Sequence, residues 1–269
     1  MDCSAMASES ESYGRIGDML VTQGKLDEAL KAYRDGLAIA ERLAAADRSN
    51  TEWQRDLAFS FNGVGYALND QGKFDEALKA YRDGLAIDEQ LAAADPNNTR
   101  WQRDLAFSFH GIGNVLKNQG KFDEALKAYR DGLAILERLT AADRSNTRWQ
   151  HDLAISFNGI GNVFKDQGSF DEALQAYRDG LAIDEQFAAA DPSNTRWQRD
   201  FAVSYANVAS VYIRLGNIAN ALSALQKGRN VIAALVTIVP DNAQWTKDLV
   251  WFESQIARAE GQARETERN

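Results

Sequence analysis

The chain repeats itself every 48 residues, and that period limits its possible folds more than any other feature. Trp53, Trp101, Trp149, Trp197 and Trp245 stand 48 apart, as do Gly24, Gly72, Gly120, Gly168 and Gly216. Ala29, Ala77, Ala125, Ala173 and Ala221 keep the same step. The stretch "KFDEALKAYRDGLAI" occurs unchanged at 73–87 and 121–135. Units of this kind bury a continuous core only by stacking on their neighbours. A slower alternation lies above the period. Copies one and three share "ERLAAADRSNT" and "ERLTAADRSNT", while copies two and four carry "DEQLAAADPNNT" and "DEQFAAADPSNT". The array is a duplicated pair of repeats followed by a divergent fifth.

Each unit reads as two helices. Trp53, Leu57, Phe61, Val64 and Leu68 step by four, four, three and four, which is one face of a helix. The pair Thr51/Gln54 has capping-box spacing at its start and recurs as Thr99/Gln102, Thr147/Gln150 and Thr195/Gln198. Gly72 is expected to end the helix, because glycine enters the left-handed conformation freely. Phe74, Ala77, Leu78, Tyr81, Gly84, Leu85 and Leu91 form a second apolar stripe, predicted to reach about Ala94 before "DPNN" breaks it.

Glycine is the one residue type that suggests chemistry. In "GIGNVLKNQGKFDEAL", residues 111–126, spaced glycines precede a Gly-Lys pair. A phosphate loop needs four residues between its glycines and Ser or Thr after the lysine. Here six separate Gly113 from Gly120, and Phe122 follows Lys121. The dinucleotide fingerprint also fails, since Leu116 stands at its third glycine. Mid-helix glycine costs ~1 kcal/mol against alanine, so Gly63 and Gly65 are predicted to admit a close partner helix, with Ala77 and Tyr81 over the gap. In the fifth copy Ala209 keeps the side chain small. Gly84 is assigned the same role on the second helix.

A net charge of −9 argues against a nucleic-acid partner. No apolar run reaches the length of a membrane span, and "MDCSAMASESES" has no hydrophobic signal region, so a cytoplasmic location is expected. Cys3 is the only cysteine, which excludes an internal disulfide. No Cys/His spacing suggests a metal, and no cofactor is expected. His110 and His151 stand where other copies have Asn62 and Arg55, with no evident acid or nucleophile beside them, so no enzyme is expected. Asp88 and Asp184 occupy a slot that holds Ala40, Leu136 and Ile232 elsewhere. They are expected at the core edge, facing Arg55 or Arg103, or else in a contact with another chain.

The small residue at Gly65, the turn glycine Gly72, Ala77 and Tyr81, in phase through the copies, resemble the tetratricopeptide repeat (TPR) family over about residues 11–237. The usual repeat is about 34 residues, so each unit carries extra length, placed in "DEQLAAADPNNTRW". The tryptophan is predicted to anchor the lengthened helix ends. "GIGNV" and "FNGIGN" are similar to asparagine-rich stretches of kinesin-light-chain-like TPR arrays. The resemblance implies an all-α, right-handed α-solenoid of five hairpins plus a capping helix. The expected layout is a flexible tail over 1–10, repeats over 11–241, the cap over 242–260 and a flexible tail over 261–269. It also implies a concave groove lined by the first helices. One row would be Asn62, His110, Asn158 and Ala206, and the next Asp18, Tyr66, Asn114, Asn162 and Ser210. A third would be Val21, Asn69, Lys117, Lys165 and Ile213. An asparagine amide both donates and accepts, so such rows suit the backbone of an extended peptide. The implied function is a non-catalytic scaffold for a segment of a partner protein. The alternatives are a self-assembling solenoid, hence a homo-oligomer, and the sensor fragment of a larger signalling protein.

Overall fold

The computed structural model describes residues 3–268, and the described residues contain helices and no strands. They fall into two compact units, 1–139 and 140–269. The first holds α1 (Cys3–Thr22), α2 (Leu26–Ala46), α3 (Thr51–Asp70), α4 (Phe74–Ala94), α5 (Thr99–Asn118) and most of α6 (Phe122–Ala142). The second holds α7 (Thr147–Gln167), α8 (Phe170–Ala190), α9 (Thr195–Arg214), α10 (Ile218–Ile238) and α11 (Ala243–Arg268). Within each unit a helix packs on the next one in sequence, and α1, α3 and α5 also touch in series, as do α7 and α9.

The hairpin turns close as the glycines predict. Gly24, Gly72, Gly120, Gly168 and Gly216 all have φ between 72° and 82°. At Gly72 its own N–H bonds to Asn69 O and that of Lys73 reaches back to Leu68 O, which satisfies carbonyls with no partner in the helix. The mid-helix glycines are filled by tyrosine rings. A Cβ on Gly65 would lie 2.8 Å from the Tyr81 ring, and one on Gly63 would lie 2.7 Å from Tyr33 of the preceding hairpin. Tyr81 also presses on Gly111, where a Cβ would overlap the ring. One ring is thus wedged between the first helices of two successive hairpins.

Two local expectations change. The first helices begin one residue earlier than the capping-box reading: Asn50, Asn98, Asn146 and Asn194 are the N-caps, each accepting from the tryptophan N–H three residues on. Gln54, Gln102 and Gln198 instead donate to Ala44, Ala92 and Ala188 carbonyls at the end of the preceding helix. With Asn50 as N-cap, Gln54 stands at the fourth helical position rather than the third, out of capping-box register. Trp197 lies 5.2 Å from the Phe187 ring, joining the same lengthened ends.

Helix reaches into both of the expected tails. α1 starts at Cys3, because Met6 and Ser10 are buried and the Ser10 hydroxyl donates to Gly36 O at 3.0 Å. α11 continues to Arg268. The single Gly261 is tolerated within a run of good helix formers. α11 packs Phe252 and Ala259 into the core of the second unit, with Trp245, Leu249 and Ile256 at its edge.

Candidate functional site

The face to assess is that of the first helices: α1, α3 and α5 in one unit, α7, α9 and α11 in the other. The first expected row is largely structural. Asn62 is 5% exposed, and its amide donates to the Ser108 hydroxyl at 2.9 Å. Ser108 in turn donates to Asp88 at 2.6 Å. His110 is half-buried, edge-on to Tyr129 at 5.2 Å between ring centres. Asn158 accepts from Asn207 at 3.4 Å.

In the second row the half-buried Asn114 and Asn162 accept the hydroxyls of Tyr129 and Tyr177 at 2.7 and 2.6 Å. Asp18 accepts from Tyr33 in the same way. These oxygens position the wedged tyrosines, and burial together with the Asp18 bond pushes the Tyr33 phenol well above its ordinary pKa. Tyr66 has no such duty and is 43% exposed. In the third row Asn69 accepts from Asn118 at 2.9 Å. Lys117 and Lys165 are half-buried, with the Lys165 ammonium 5.7 Å from the Tyr177 ring centre.

Asp88 and Asp184 lie in the interior, 2% and 4% exposed, rather than at the edge. Arg55 is unavailable to Asp88 because it clasps Asp104 through Nε and Nη2. Asp184 accepts from Ser204 at 2.6 Å as Asp88 does from Ser108. Burial pushes the carboxyl of Asp88 up to about 7 and that of Asp184 to about 6, against the hydroxyl bonds, which lower them. The motive for a chain–chain contact at these positions is gone, since a hydroxyl of the next hairpin satisfies each carboxyl.

Two features escaped the sequence reading. Phe59 and Phe107 in the first unit are 55% and 52% exposed, and Ile155, Val203 and Trp251 hold the equivalent positions in the second, also exposed. Phe59 and Tyr66 are seven residues apart and share a helix face. The signal was an apolar residue recurring every 48 positions off the core stripe. The second feature is a ladder of contacts between successive first helices: the ion pair Arg55–Asp104 in the first unit, and in the second the ion pair Arg199–Asp248 at 2.7 Å, with the His151 ring 3.8 Å from the Asp200 carboxylate in the same register. His151, read as having no acid partner, is a rung of this ladder. No group of three or more metal-ligating side chains occurs among the described residues, and no described helix is long and apolar enough to cross a membrane.

A tetratricopeptide repeat profile matches residues 8–90 and 104–186, and a second matches 202–228. No curated protein matches the sequence. The fold is shared with BtubC (BKLC) from P. vanneervenii at 17% identity and TM-score 0.62, over 87% of this chain and 90% of that one. It is shared with a Podosopora anserina putative kinesin light chain of nearly identical TPR-like repeats at 18% identity and TM-score 0.56, over 85% and 97%. The apo form of RapI matches at 15% identity and TM-score 0.59, over 92% of this chain and 64% of that one.

Proposed function

The chain belongs to the tetratricopeptide repeat family, and from this we propose that it is a protein-interaction scaffold. In this reading it binds extended segments of a partner protein on the first-helix face of each unit. The observation that carries the proposal is the row of exposed apolar side chains, Phe59 and Phe107 in one unit and Ile155, Val203 and Trp251 in the other. A large apolar side chain held in water at the same place in successive repeats has no packing purpose and favours a partner that covers it. Tyr66, Lys117 and Lys165 share these helices and supply polar contacts at the rim, while the asparagines hold the tyrosines beneath.

Peptides selected by display on the whole chain test the reading. Phe107→Ser and Val203→Ser alter exposed groups, so the fold is expected to survive and affinity to drop at least tenfold. Asn114→Ala is a poorer probe, because it also removes the acceptor of Tyr129. Selected peptides that bind the double serine variant as tightly as the parent chain would remove the groove from the proposal.

A further inference from the structure

The ladder of ion pairs has no cationic rung at its N-terminal end. Arg55 on α3 holds Asp104 on α5, whereas the residue 48 before Arg55 is Ala7 on α1. Asp56, the counterpart of Asp104, therefore has no ion-pair or hydrogen-bond partner for its carboxylate among the described residues, although it is only partly exposed. Burial raises its pKa, with Glu52 and Glu11 adding to the effect and Arg55 and Arg100 opposing it.

Asp56 lines a cavity of about 50 Å³ with Ser10, Glu11, Gly14, Tyr33, Gly36, Phe59 and Ser60. The cavity exists because Gly14 stands where Asn62, His110 and Asn158 stand in later copies. A Cβ there would meet nothing nearer than Phe59 at 3.9 Å. Water needs roughly 10–15 Å³ of such space per molecule, so the cavity suits a group of about four heavy atoms. A guanidinium has that size, forms two parallel bonds to a carboxylate and tolerates aromatic walls such as Tyr33 and Phe59.

We propose that this cavity is a binding site for an arginine side chain of the partner, whose guanidinium completes the Asp56 rung that Ala7 leaves without a cation. The later rungs are its template, since Arg55 and Arg199 from the preceding first helix make the same contact with Asp104 and Asp248. The inference rests on the groove reading, because the cavity opens beside Phe59. Its test uses a single-residue ligand, so the two can fail separately.

N-acetyl-arginine methylamide is titrated into the 15N-labelled chain and followed by NMR, with the citrulline analogue as the neutral isostere. Saturable shifts at the amides of Ser10, Asp56, Phe59 and Ser60 are expected with arginine and none with citrulline. Asp56→Asn should weaken binding at least tenfold. Ala7→Arg should abolish it while raising the melting temperature, because the chain then fills its own rung. Equal shifts with citrulline, absence of shifts with arginine, or binding that persists in either variant overturns the site. The Asp56→Asn comparison decides the matter alone if Ala7→Arg does not fold.

Discussion

Asp88 shows how one side chain changes meaning with its neighbour. In copies one and three the slot holds Ala40 or Leu136, and the serine 20 residues on turns back on its own helix: Ser60 donates to Asp56 O, and Ser156 to Asp152 O. In copies two and four the slot holds aspartate, and Ser108 or Ser204 donates across to it. In the fifth, Ile232 and Phe252 replace both with apolar groups. The carboxyl of Asp88 is pushed up to about 7 by burial. Between pH about 4 and 7 the folded chain keeps that proton and the unfolded chain does not. Stability from this group is therefore complete below about pH 4 and is lost as pH rises through about 7. Asp88→Asn removes the titration. Its melting temperature relative to the parent should increase from pH 5 to pH 8, by an amount equivalent to at most a few kcal/mol. A difference that does not change with pH contradicts the assignment.

At the scale of the element, the tyrosine wedge sets how closely helices approach. Tyr81 meets Gly65 of its own hairpin and Gly111 of the next, so its ring cannot yield to a new methyl group on either side. Gly65→Ala is expected to cost about 1–3 kcal/mol as overpacking, despite the better helix propensity of alanine. The fifth copy contains the compensation, with Ala209 in the glycine slot and Leu225, 1% exposed, in the tyrosine slot. Gly65→Ala combined with Tyr81→Leu should recover part of the loss in denaturant unfolding. A double variant no more stable than Gly65→Ala would mean that the ring is not the obstacle.

For the whole molecule, stability is a sum of hairpins and their contacts with neighbours. α3 touches α1, α2, α4 and α5, whereas α1, among the described residues, packs on α2 and α3 and buries Met6, Ser10 and Gly17. Amide hydrogen exchange should therefore be faster along α1 than along α3, reflecting opening of the end before the interior. Equal protection in the two helices would indicate a single cooperative block.

The periodicity alone determined the helical hairpin, its turn at Gly72, its end near Ala94 and the small residues beneath a tyrosine. The turn, the helix end and the Gly65–Tyr81 contact depend on neighbours within one unit, and a repeated sequence displays them several times, whereas Gly63 lies under Tyr33 of the preceding hairpin. Helix register in space decided the rest. Asn62, Ser108 and Asp88 are joined across 46 and 20 residues, and a solvent-facing asparagine has the same local sequence as one clamped beneath the next hairpin. Phe59 recurs off the core stripe, and only the packing of the neighbouring helices left its side of α3 uncovered. Asp56 looked like its counterparts in every copy. Only α1, the preceding first helix, with alanine in place of arginine, set it apart, because the partner of a carboxylate is chosen by proximity and not by composition.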